Sequence, residues 1–182
     1  MSASVLADAS LPDAPEVLRR LLALIDTLHQ PQDLTTDRVA RFTGFTMRPF
    51  SEKPTNDAYQ IFQPLTDAWR YLYIWGLNSA TRLPDLGLTF IETDKHSTQR
   101  PSKADICQFD AMHFHDALLK MGYRHVGNAR RESAAKQYRR GLVEVDIGIV
   151  GESSDSFEKI SHGCVKRVSI GFLENETLAV SQ

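Results

Sequence analysis

Glu144 and Asp146 stand two apart in the run Leu142–Val150, where Val143, Val145, Ile147 and Ile149 alternate with the remaining residues. The two-residue period of a strand puts both carboxylates on one face, with Leu142, Gly148 and Val150. Glu92 and Asp94 form a second such pair. Two pairs converging with Arg139 or Arg140 would hold a divalent metal for phosphate chemistry, and a metal-dependent phosphohydrolase is the alternative to keep in view. That chemistry needs further acids and a lysine array. The segment "SASVLADAS" offers only Asp8, while "RVARFTGFT" and "YLYIWGL" offer none. Solvated or ion-paired strand acids in a non-catalytic protein are therefore expected.

Ser161-His162-Gly163-Cys164 places an imidazole two residues before a thiol, an order that also occurs in the nucleophile loop of L,D-transpeptidases. Lys166 stands where that loop carries arginine, and its upstream histidine is missing, so catalysis by Cys164 is not expected. Cys107 and Cys164 read as two ordinary intracellular thiols. His113 and His115, two apart on a helical stretch, point in different directions and cannot chelate one ion together. Asp85, Glu92 and Lys95 have only a faint nuclease spacing. Arg124, Arg130, Arg131, Lys136, Arg139 and Arg140 form the one basic concentration, interrupted by Glu132, Glu144 and Asp146, which suits an acidic protein partner better than nucleic acid. No catalytic residue, metal or cofactor is expected.

The elements that must position these residues follow from period and punctuation. Asp13, Pro15 and Glu16 open a helix whose Val17, Leu18, Leu21, Leu22, Leu24, Ile25 and Leu28 recur at helical spacing up to Pro31. A second helix is expected from Ser102 through "KADICQFDAMHFHDALLKM" to Gly122. Strands are expected at "SASVLADAS", in "TTDRVARFTGFTMRPF", and at "AYQIFQPL", "AWRYLYIWGL" and "DLGLTFIETD". "YRHVGNARRE", "AAKQYRRGLVEVDIGIVG" and "CVKRVSIGFLE" complete the set. Trp69, Tyr71, Tyr73 and Trp75 share one face of theirs and are the candidate partner-binding row, although such rows commonly belong to a core. About eight strands and two flanking helices imply a single α+β domain over residues 1–182, its antiparallel sheet strongly curved or closed into a barrel.

Composition agrees. The chain has 182 residues, 42% of them hydrophobic, with a formal charge of −2, which gives no global pull toward nucleic acid or anionic membrane. The first residues lack the basic start and apolar core of a secretory signal, and no run is long enough to span a membrane, so a soluble intracellular protein is expected.

Met121-Gly122-Tyr123-Arg124 at a helix end, Tyr138-Arg139-Arg140-Gly141 at a turn, and the Trp69 strand, taken in this order, resemble the Mediator subunit 18 family. The resemblance implies a triphosphate-tunnel-like β-barrel serving as a structural subunit of the Mediator head module. It implies a transcription coregulator in the nucleus, with subunits 20 and 8, other head-module subunits and RNA polymerase II as partners, and no cofactor. Tunnel enzymes of related fold open on a Glu-x-Glu-x-Lys strand, which this chain lacks. A small bacterial inhibitor or immunity protein is the remaining alternative.

Overall fold

The computed structural model describes residues 11–50, 58–94, 101–128, 135–153 and 156–174. Helix α1, Ala14–Asp26, begins where the sequence places it: the Asp13 carboxylate accepts from the Glu16 amide at 2.8 Å, and Pro15 fills a first-turn position that needs no donor. Its apolar face, from Val17 to Ile25, is buried. Each fully buried leucine there contributes about 1.5–3 kcal/mol of transfer free energy. A short 3-10 turn, Pro31–Asp33, leads to helix α2, Thr36–Thr43.

That second helix replaces an expected strand. Val39 and Thr43 look like alternation with Arg41, but they are also four apart, and the helix buries both. Thr35 caps it by accepting from the Arg38 amide at 3.2 Å, and Gly44 ends it at φ +80°. The expected helix from Ser102 to Gly122 is instead two pieces, α3 (Ala104–Cys107) and α4 (Ala111–Lys120). Asp110 divides them. Its side chain caps α4 through the His113 amide at 2.8 Å, while its backbone bridges to Cys164. A fifth helix, α5 (Phe157–Ser161), lies in a segment expected to be loop.

The strands are β1 (Arg48–Pro49), β2 (Tyr59–Pro64), β3 (Trp69–Leu77), β4 (Pro84–Glu92), β5 (Arg124–Asn128), β6 (Ala135–Arg140), β7 (Val143–Gly151) and β8 (Gly163–Phe172). They form one antiparallel sheet in the order β1-β2-β3-β4-β8-β7-β6-β5. The class is α+β. Among the described residues the sheet is not closed: β1 and β5 are its edges, where a barrel was expected. The expected strand at "SASVLADAS" lies outside the described residues, as do Arg130, Arg131 and Lys95.

One face of the sheet carries the core. Tyr71, Tyr73, Leu86, Leu88, Val145, Ile147, Val168 and Ile170 are buried there with the apolar faces of α1, α2 and α4 in a single cluster. The opposite face carries the alternate residues.

Candidate functional site

The aromatic row lies on the core side. Trp69, Tyr71 and Tyr73 are 0%, 1% and 1% exposed, and Trp75 is partly buried against the same cluster. The surface that this row was expected to offer a partner is therefore absent from the folded chain. Its polar tips fasten neighbouring elements instead. Trp69 Nε1 donates to Ser102 O ahead of α3 at 2.8 Å, and Trp75 Nε1 to Leu34 O ahead of α2 at 2.9 Å. The Tyr73 hydroxyl donates to Val17 O of α1 at 3.3 Å. The Tyr71 hydroxyl is buried with no partner, and burial pushes its pKa up to about 12.

The two acidic pairs are not brought together. Cross-strand partners share a face, and Glu92 stands opposite Trp69, on the core side, with Asp94 beyond the end of β4. Glu144 and Asp146 lie on the other side, alternating with buried Val143, Val145 and Ile147. Arg139 joins them and pairs with Glu144 at 2.7 Å. Arg140 turns away. The metal-and-phosphate arrangement that would have united these groups does not form.

On the face opposite the core, a register row runs Gln60, Ile74, Gly87, Ser169, Asp146, Gln137 across six strands. At its middle is a cavity of about 250 Å³ lined by Asp85, Gly87, Thr89, Arg167 and Ser169 on the polar side, with Leu72 and Ile74 beside them. A Cβ at Gly87 or Gly171 would meet nothing within 4 Å, so the missing side chains open this space. Burial raises the Asp85 carboxyl above its ordinary pKa. Burial raises Asp146 as well, and the neighbouring charge of Glu144 adds to the shift. Gln137 gives Asp146 a hydrogen bond, yet its Oδ1 is buried without a partner. Arg139 and Arg167 already oppose the shift of Asp146, and Arg167 Nε donates to Ser169 Oγ at 3.2 Å. Asp85 is the carboxylate that lines the cavity, and a cation beside it would favour the charged form that desolvation disfavours. Three histidines are bonded elsewhere: His115 Nδ1 to the Tyr138 hydroxyl, His113 to Asp110, His162 to Glu152. Sequence reasoning passed over Gly87, Thr89, Ser169 and Gly171. The one available signal was a glycine inside a strand, which marks close approach or open space.

Two of the three motifs behind the family resemblance meet in space. Arg140 donates to Ile25 O (3.2 Å), Asp26 O (2.9 Å) and Leu28 O (3.0 Å) at the end of α1, and to Met121 O (2.8 Å) at the end of α4. Its guanidinium stacks 4.6 Å from the centre of the Tyr123 ring, and the Tyr123 hydroxyl reaches Ile25 O. Gly122, at φ +85°, makes the left-handed turn that ends α4. One cation satisfies orphan carbonyls at two helix C-termini, where positive charge is favoured.

Cys107 and Cys164, expected as separate thiols, form a disulfide linking α3 to β8 with Cα atoms 4.6 Å apart. Both are buried, so Cys164 is not placed as an exposed nucleophile. No family model matches the chain, and neither the curated proteins nor the solved structures hold one similar to it.

Proposed function

We propose that the chain is a non-catalytic binding module whose protein partner sets a basic side chain onto the open face of the sheet, beside Gly87 and Ser169. The observation carrying this reading is the cavity of about 250 Å³ over Gly87. Glu144 is already neutralised by Arg139, whereas Asp85 is disfavoured as an anion by burial and Asp146 keeps an unpartnered oxygen. The partner's ammonium or guanidinium group would pair with Asp85, the carboxylate that lines the cavity, beside Arg167, whose Nε donates to Ser169 Oγ at 3.2 Å. Exposed Phe62, with Arg70 stacked 5.3 Å from its ring centre, and the half-buried Leu72 and Ile74 supply an apolar flank. A photo-crosslinking residue in place of exposed Phe62, at the flank of the cavity rather than inside it, should capture a defined protein in the source cell. The same residue at exposed Arg41 on α2 should not. Identical products from both positions would overturn the reading.

The resemblance to Mediator subunit 18 supplies named candidates for that partner: subunit 20 first, then subunit 8, other head-module subunits and RNA polymerase II, all in the nucleus. The Arg140 clamp accounts for its motifs by folding alone, so the open-face argument stands apart from it. Co-expression with subunit 20 of the same organism tests the assignment. A stable one-to-one complex supports it, and a lone monomer removes it. A bacterial inhibitor or immunity protein would be a binding module of the same kind, separated only by the identity of its partner.

A further inference from the structure

Four metal-ligand side chains of three types converge where α3 meets the end of the β7–β8 hairpin. Cys107 closes α3, Cys164 opens β8, Glu152 follows β7, and His162 ends α5. The donor atoms of Cys107, Glu152 and His162 all lie within 4.8 Å of one another, and Cys164 Sγ is bonded to Cys107 Sγ. Tetrahedral zinc, with bonds of about 2.0–2.3 Å to nitrogen, oxygen and sulfur, holds its ligand atoms about 3.3–3.8 Å apart. The backbone fixes two of the ligands to each other, because the Glu152 amide donates to His162 O at 3.1 Å and to Lys159 O at 3.0 Å. His162 Nδ1 lies 2.7 Å from Glu152 Oε2, a contact that needs a proton between the two atoms. A metal ion can take that proton's place. His162 Nε2 then faces Asp110 Oδ2, 3.8 Å away, the outer carboxylate that commonly orients a zinc-bound imidazole. The sulfurs are buried while His162 is 40% exposed at the side chain, so the site has a dry floor and a mouth.

We propose that reduction of the Cys107–Cys164 disulfide converts this cluster into a zinc site of two cysteines, one histidine and one glutamate. The exchange balances. A dithiol reductant supplies two electrons and two protons, becomes a disulfide itself, and leaves two thiols. Zinc(II) binds both sulfurs as thiolates, the Glu152 carboxylate and the Nδ1 of neutral His162; the two thiol protons pass to water, and the His162 proton moves from Nδ1 to Nε2, on the side of Asp110. In the reverse direction a disulfide oxidant accepts two electrons and the zinc is expelled. The cluster is thus a redox-governed clamp between α3 and the β7–β8 hairpin, distinct from the open-face cavity.

The test uses the full chain, reduced without oxygen and titrated with cobalt(II) as an optical stand-in, with zinc counted by elemental analysis. The expected result is one metal per chain, thiolate-to-cobalt charge transfer and the visible bands of tetrahedral cobalt, all absent from the oxidised chain. Cys107→Ser with Cys164→Ser should abolish the thiolate band. His162→Ala and Glu152→Ala, both at partly exposed positions, should each weaken binding by at least about tenfold. Equal metal uptake by the oxidised chain, by the double serine variant or by His162→Ala would overturn the proposal, as would no uptake by the reduced chain. If reduction loosens the fold, recovery of dispersed amide NMR signals on adding zinc supports the site, and no recovery contradicts it.

Discussion

At the scale of single residues, the polar groups that lack partners set the sharpest tests. The Tyr71 hydroxyl is buried unbonded, at the cost of its lost hydration, so Tyr71→Phe should leave stability unchanged or raise it by up to about 1 kcal/mol. A clear loss in the denaturant midpoint would mean that the hydroxyl has a partner. Asp146 makes a prediction with a sign in pH. Its folded pKa is raised above the ordinary 3.8, so the folded chain binds that proton more tightly than the unfolded chain does. The fold is therefore penalised as pH climbs from about 3.8 through the raised value, and the penalty is complete above it. Asp146→Asn should raise the melting temperature at pH 7, with the gain shrinking steadily as pH falls below the ordinary carboxylate range. A gain independent of pH, or a loss at pH 7, would contradict this account of Asp146.

At the scale of elements, legibility tracks how far a signal stays local. Helix α1 was readable because Asp13, Pro15 and Glu16 punctuate it and seven apolar residues repeat the period. Helix α2 was not, since Val39, Arg41 and Thr43 fit a strand's period as well as an i, i+4 stripe, and eight residues are too few to separate the two. The break between α3 and α4 depends on Asp110 meeting Cys164, a contact across 54 positions that no local pattern announces. The same holds for Arg140, which looked like one of several basic residues and is a brace between two helix ends. Arg140→Ala should cost about 2–4 kcal/mol, because several charge-assisted bonds vanish and buried carbonyls lose their donor. Arg140→Lys should recover only part of it, since an ammonium cannot span both helices as a planar fork does. Chemical denaturation with an unchanged m-value checks both variants. A loss below about 0.5 kcal/mol for the alanine variant would refute the brace.

At the scale of the whole molecule, an antiparallel sheet followed from the alternating segments, but its eight described strands are not the eight expected: one expected strand proved helical up to short β1, one lies outside the described residues, and one divides into β6 and β7. Closure did not follow, because whether β1 meets β5 depends on twist and edge pairing that no single segment encodes. The site was the least legible part. Trp69, Tyr71, Tyr73 and Trp75 drew attention as large aromatics, but a sheet covered by helices on one face uses such rings to fill its core. The open face instead offers glycines, hydroxyls and two aspartates whose burial disfavours their charge, set by cross-strand register rather than by any local pattern. On the proposed reading, this open face is where the partner binds. The decisive titration is of the partner captured through position 62 against the wild-type chain and against Gly87→Leu. A leucine at position 87 fills the cavity without touching the core, since nothing lies within 4 Å of its Cβ. The complex with Gly87→Leu should be at least tenfold weaker (about 1.4 kcal/mol) at unchanged melting temperature. An affinity equal to wild type would contradict that reading.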